Sequence, residues 1–210
     1  MGASEQLYMS LKDSILSGNI LTGEKLTEQI LCKKYDISRT PVREALHKLE
    51  TEGLLTSIPN RGFYVQGLTN QDYLDIFVLR ELYEIQAVQW ATERMNDEEL
   101  EELEELFEFM EFYTYKKDLM KMLTINSNFH KKIYDGTHNR MLQNLLSSYQ
   151  ELVKYAGSSS EKPDDYLDKL FIEHKNIFMA IKERNPAKAG EAMREHIQAS
   201  KSRYLNKKEE

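Results

Sequence analysis

Three histidines in the second half of the chain, His130, His174 and His196, have neighbours that turn them toward an interior. His130 stands beside Phe129 and Ile133, His174 beside Ile177 and Phe178, and His196 beside Met193 and Ile197. Imidazoles converging from three helices are ligands for a divalent metal. Asn126 lies four residues before His130, hence on the same helix face. A second constellation is Ser38 to Leu46. Val42, Ala45, Leu46 and Leu49 fall at i, i+3, i+4 and i+7, one apolar face, while Arg39, Arg43 and His47 recur at steps of four on another. A guanidinium pairs bidentately with phosphate or with guanine in the major groove. Each pattern also has a plainer reading, a core histidine with one hydrogen bond or an amphipathic surface helix. The elements around them decide.

The chain has 210 residues and a formal charge of −7. Residues 1–67 hold equal numbers of cationic and anionic side chains, so the whole excess falls on 68–210. A neutral first piece with clustered arginines suits nucleic acid, and an acidic second piece is repelled by phosphate. The single cysteine, Cys32, forms no internal disulfide and lies among apolar neighbours, where a small buried side chain is expected. No apolar run is long enough to span a membrane and residues 1–5 do not resemble a signal peptide, so a cytoplasmic protein is expected.

Over residues 1–67 the periodicity predicts a helix from about Glu5 to Leu16, carried by Leu7, Leu11, Ile15 and Leu16. Thr22-Gly23-Glu24 is a turn before a buried Leu26. Thr27 caps a second helix to Tyr35, with Ile30, Leu31 and Tyr35 inward. Asp36-Ile37 joins it to the third helix, where Thr40 reads as the N-cap, Pro41 as the first helical residue and Gly53 as the stop. Leu54 to Ile58 and Phe63 to Val65 read as two strands around the turn Pro59-Asn60-Arg61-Gly62, which puts a cation at its tip. Two helices across a tight turn followed by a hairpin make a winged helix-turn-helix.

Residues 68–210 show no strand signal. Helices are expected at about 71–95, from 97 on through Met110, and at about 118–134, 140–155, 165–182 and 186–204, with a loop at Ser158 to Pro163. In the first of these, Leu74, Phe77, Val78, Leu82, Ile85 and Val88 read as the inward set. The fold class is mainly α, a winged helix-turn-helix at 1–67 and an antiparallel six-helix bundle at 68–210 that can enclose a polar site. Arg80 and Glu84, four apart, read either as a surface ion pair worth about 0.3–0.5 kcal/mol or as a guanidinium turned into the bundle for a carboxylate.

Residues 5–66 resemble the DNA-binding domain of GntR-family bacterial transcription regulators. The resemblance runs through Ile15 to Ile20, Thr22 to Glu28, Ser38 to Leu46, Leu49 to Leu54 and Pro59 to Val65. It implies that Ser38, Arg39, Thr40 and Arg43 contact double-stranded operator DNA, with Arg61 and Gly62 at the wing tip. Residues 70–206 resemble, more sparsely, the all-helical (FCD-type) effector domain of the FadR-like branch, through Arg80 with Glu84, Phe129-His130, Glu173-His174 and Ala192 to His196. That resemblance implies a divalent transition metal (the residue types do not separate zinc, nickel and manganese) on the three histidines and the residue four before the first. Here that residue is Asn126 where aspartate is usual, a neutral and poorer donor that leaves more of the metal's charge for an anionic ligand.

The reading is a ligand-responsive, non-enzymatic regulator that binds a pseudo-palindromic operator as a homodimer, with a small carboxylate held by the metal and Arg80. One alternative makes the metal itself the signal. A further one, a metalloenzyme whose metal is held by the three histidines, with Glu173 or Glu195 as base, is opposed by helix periodicity, which points both glutamates away from the interior.

Overall fold

The computed structural model describes residues 2–156 and 163–206. The expected serine-rich loop therefore lies, except for Pro163, outside the described residues. The chain divides into two compact units, Met1–Asp72 and Tyr73–Glu210.

The first unit contains α1 (Ala3–Leu16), β1 (Lys25–Leu26), α2 (Glu28–Tyr35), α3 (Arg39–Thr51), β2 (Leu55–Ile58) and β3 (Gly62–Val65). Its core gathers the predicted stripes: Leu7, Leu11 and Ile15 of α1 meet Val42, Ala45, Leu46 and Leu49 of α3, all nearly or fully buried. Thr27 caps α2, its side chain accepting a hydrogen bond from the Ile30 amide. Gly53 ends α3 at φ +75°.

Three local expectations are corrected. Helix α3 begins at Arg39, with Ser38 at the cap position and no side-chain cap, so Pro41 is the third helical residue. The first-turn amides have no partner within a helix, and proline loses nothing at any of them. Ile30 is 59% exposed, because the inward line of α2 runs through Leu31, which is 2% exposed. The sheet has a third strand: β1 pairs antiparallel with β3, Lys25 opposite Tyr64 and Leu26 opposite Phe63, giving the order β1-β3-β2. Gly62 permits this pairing. It sits at φ +97°, where a Cβ would stand 3.1 Å from the Leu26 carbonyl oxygen.

In the second unit α4 (Asn70–Arg94), α5 (Asp97–Tyr115), α6 (Leu119–Gly136), α7 (Arg140–Ala156), α8 (Tyr166–Lys182) and α9 (Pro186–Asn206) pack around Phe77, Leu103, Met110, Phe129, Ile177 and Met193. Asn96 and Glu99 form a reciprocal capping box at the start of α5. Arg184, left-handed after α8, donates to the Met95 carbonyl at 2.5 Å and to Asp97 at 3.1 Å, closing the α4–α5 corner. On α4 the expected inward set is partly overturned: Val78 and Leu82 are 49% and 64% exposed. The inward face instead runs through Ile76, Phe77, Arg80, Glu84, Ala87, Val88 and Ala91. It carries two charged residues where apolar ones were sought.

Candidate functional site

His130 on α6, His174 on α8 and His196 on α9 do meet. Each is within 4% of full burial, and one nitrogen of each lies within 4.8 Å of the others. The Nε2 atoms of His130 and His174 are 3.2 Å apart. Around a metal with bonds of about 2.0–2.1 Å, neighbouring nitrogens stand roughly 2.9–3.4 Å apart, so this pair already has ligand spacing.

The remaining ring nitrogens explain the orientation. His174 Nδ1 donates to the Leu170 carbonyl at 2.7 Å, and His196 Nδ1 donates to Glu173 Oε2 at 2.9 Å. Both acceptors lack a proton, so both imidazoles carry theirs on Nδ1 and keep the Nε2 lone pair free. His130 Nδ1 faces Glu84 Oε2 at 3.1 Å, outside good hydrogen-bond geometry. Burial holds His174 well below the ordinary histidine range and the cationic forms of its two neighbours lower it further. His196 is held down to about 4, burial outweighing the opposing pull of Glu173. These two rings are therefore neutral near pH 7.

Two carboxylates stand behind the ring. Glu84 on α4 is fully buried and accepts a hydrogen bond from Arg80 Nε at 2.6 Å. Burial pushes its pKa up, but Arg80 and His130 together pull it well below the ordinary carboxylate range. Glu173 on α8 accepts from both terminal nitrogens of Arg203, at 2.5 and 2.9 Å. Burial again raises its pKa, and Arg203 and His196 lower it by more. Each carboxylate is thus paired with its own guanidinium, which leaves only part of its charge to offset charge among the histidines.

Asn126 supplies the test of whether a metal fits. Its Oδ1 is buried without a hydrogen-bond partner, one turn before His130. A buried amide oxygen with no donor is an acceptor that a cation would satisfy. Three imidazoles and one amide oxygen form a neutral set suited to zinc, nickel or manganese. Arg80 is buried and its Nε is engaged by Glu84, so the pair is not the surface ion pair that was one of its two readings. A surface groove of about 230 Å³ lined by Asn176, Met179, Lys188, Glu191, Ala192 and Glu195 contains none of these groups.

In the first unit Ser38, Arg39, Thr40 and Arg43 are all exposed on the first turns of α3. Arg43 is braced by Glu28 at the start of α2, Nε to Oε1 at 2.8 Å and a terminal nitrogen to Oε2 at 3.0 Å. Arg61 is exposed and Gly62 half-buried at the β2–β3 turn, which Asn60 enters with φ +61°. His47 turns aside to Glu50 at 3.0 Å and packs edge-on to Phe63.

Residues 3–65 match the family model of bacterial regulatory proteins of the gntR family, and residues 75–199 match the FCD domain. The chain belongs to the GntR family. It is similar to YdhC, an uncharacterized HTH-type transcriptional regulator of Bacillus subtilis (strain 168), at 32% identity over 92% of this chain and 85% of that one. The HTH-type transcriptional repressor GlaR of Escherichia coli (strain K12) is 28% identical, with 90% of each chain covered. The solved structure of E. coli McbR/YncC matches with a TM-score of 0.79 over 99% of both chains at 22% identity, a likeness of fold.

GntR-family relatives are transcription regulators, not enzymes, which removes the metalloenzyme alternative. The geometry agrees. Glu173 does reach the site, contrary to the periodicity argument, but from behind His196, where it holds a ring proton. Sequence reasoning missed the supporting roles of Glu84, Glu173 and Arg203 in this GntR-family chain. Adjacent Glu173-His174 suggests opposite faces of one helix, and only the α8–α9 packing reveals that Glu173 serves the other helix's histidine.

Proposed function

We propose that the protein is a cytoplasmic, metal-assisted, acid-responsive repressor or activator that binds a pseudo-palindromic operator as a homodimer. The observation that carries the reading is the first turn of α3. Arg39 and Arg43 face solvent there, while Val42, Ala45, Leu46 and Leu49 on the opposite face are 0% exposed. A helix so anchored presents its N-terminal side chains to a major groove, with Ser38 and Thr40 as further hydrogen-bonding groups and Arg61 and Gly62 reaching the flanking backbone or minor groove. Exposed Val78, Leu82 and Tyr83 along α4 supply apolar surface for the second copy.

Asn126, His130, His174 and His196 hold the divalent metal in this reading. The metal supplies a Lewis acid for one oxygen of a small carboxylate, and the terminal nitrogens of Arg80 take the other end. The neutral donor set and the internally balanced Arg–Glu pairs favour an anionic ligand. Effector and operator are coupled to the extent that the effector prefers one arrangement of the dimer.

Fluorescence anisotropy with DNA flanking the gene tests the proposal, using metal-free protein, protein with metal, and protein with metal plus candidate acids. Specific, salt-sensitive binding that the acid changes only when metal is present supports it. Binding that responds to metal alone supports the second reading, in which the metal is the signal. Absence of specific, salt-sensitive binding in every state sinks both.

A further inference from the structure

We propose that Arg203, acting through Glu173, is a positioning residue for His196, so that the last turns of α9 are part of the metal centre. The inference rests on the reading of the three histidines as metal ligands.

His196 and Arg203 lie seven residues apart on α9, about two turns, and therefore on one face. Glu173 reaches from α8 to both. Its Oε1 accepts from one Arg203 nitrogen at 2.5 Å, and its Oε2 accepts from the other at 2.9 Å and from His196 Nδ1 at 2.9 Å. A lone carboxylate rotates about its last bond. A bidentate guanidinium fixes that plane, which here aims an Oε2 lone pair at the imidazole N–H. The N–H so held fixes the tautomer and leaves the Nε2 lone pair free, with raised basicity, in a ring whose centroid is 5.1 Å from that of His130 and 4.6 Å from that of His174.

A looser version places Arg80, Glu84 and His130 in the same order, with Arg80 donating through Nε alone and Glu84 Oε2 facing His130 Nδ1 at 3.1 Å outside good hydrogen-bond geometry. His174 uses the Leu170 carbonyl instead. Two of three ligands thus have a guanidinium behind a carboxylate behind the ring. The two copies differ in burial: the Arg80 side chain is 6% exposed and that of Arg203 is 29% exposed. Cutting the first strands a charge in the core. Cutting the second leaves Glu173 within reach of water, which makes the role of Arg203 separable from folding.

The test uses full-length protein stripped of metal and titrated with Co²⁺, following the visible d–d bands, with a chelator in competition. Wild type, Arg203→Met, Arg203→Lys and Glu173→Gln are compared, and urea unfolding of each metal-free protein checks the fold. Arg203→Met and Glu173→Gln are expected to bind Co²⁺ about 10–100-fold more weakly with altered bands. Arg203→Lys should recover part of the loss, because lysine keeps the charge without the planar fork. Arg203→Met binding within about twofold of wild type, with unchanged bands, overturns the proposal. Should that variant fail to fold, Glu173→Gln, which keeps the side chain's shape, decides by the same criterion. A wild type without Co²⁺ bands defeats the metal reading beneath it, an outcome distinct from equal binding by the variants.

Discussion

His130 and His174 bring their Nε2 atoms to 3.2 Å of each other in a part of the bundle where both rings are at least 98% buried. With the His174 proton on Nδ1, its Nε2 lone pair accepts from the Nε2–H of His130. A cation bound there would displace that one proton and take both Nε2 lone pairs as ligands.

Metal is therefore expected to stabilise the second unit. Zn²⁺ or Ni²⁺ at a hundred times its dissociation constant should add about 2.7 kcal/mol to the unfolding free energy. His174→Ala should abolish the increment. Differential scanning fluorimetry with and without metal reads it directly, and equal shifts in wild type and variant would refute the site.

Replacing Asn126 by Asp should tighten metal binding by about tenfold or more, since affinity follows the charge of the donor set. The buried orphan oxygen becomes an anionic ligand one turn from His130. The added charge should also weaken any carboxylate effector. Calorimetric titration checks both, and unchanged metal affinity contradicts the placement of this side chain.

The metal-free protein should lose stability as the pH falls from 6.5 toward 4. His174 and His196 are held below the unfolded value of 6.5, His196 at about 4, so in that window the unfolded chain binds protons the folded chain does not. Their contribution is complete above pH 6.5 and is lost as the pH drops through the folded values. Glu84 and Glu173, also depressed, extend the loss in the same direction at lower pH. Urea midpoints at pH 7.5, 6 and 5 measure it, and His196→Gln should flatten the slope. A level profile in wild type would be inconsistent with neutral buried rings.

Arg39→Ala and Arg43→Ala should each weaken operator binding by about 1–3 kcal/mol if they meet base edges. If they meet phosphate, binding falls for all sequences and the salt slope drops by about one. Neither side chain belongs to the core, so far-ultraviolet circular dichroism should be unchanged. Arginine variants with wild-type affinity would move the reading head elsewhere.

Where local pattern and tertiary role coincide, the sequence was legible. The spacing of Val42, Ala45, Leu46 and Leu49 announces a buried face and all four are buried. Asp118 and Asn185-Pro186 mark helix ends within a residue or two of those observed. Strand β1 was not legible because two residues hold no periodicity, and their partner lies almost forty residues away. Val78 and Leu82 misled for a different reason. Helix α4 turns Arg80 and Glu84 inward to serve the histidines, so following apolar residues leads off its buried face. The convergence of His130, His174 and His196 could be read from their apolar neighbours. The carboxylates behind them could not, because each joins residues on different helices.

The enclosure of the three imidazoles also has a kinetic consequence. Rings only 0–4% exposed are not reached by simple collision from solvent. A metal held there, as proposed, would enter or leave only when helices α6, α8 and α9 part locally, so its exchange rate would follow the opening rate of the bundle and not its concentration alone. Occupancy would lag behind changes in supply. The loaded state would then persist through brief fluctuations in metal supply.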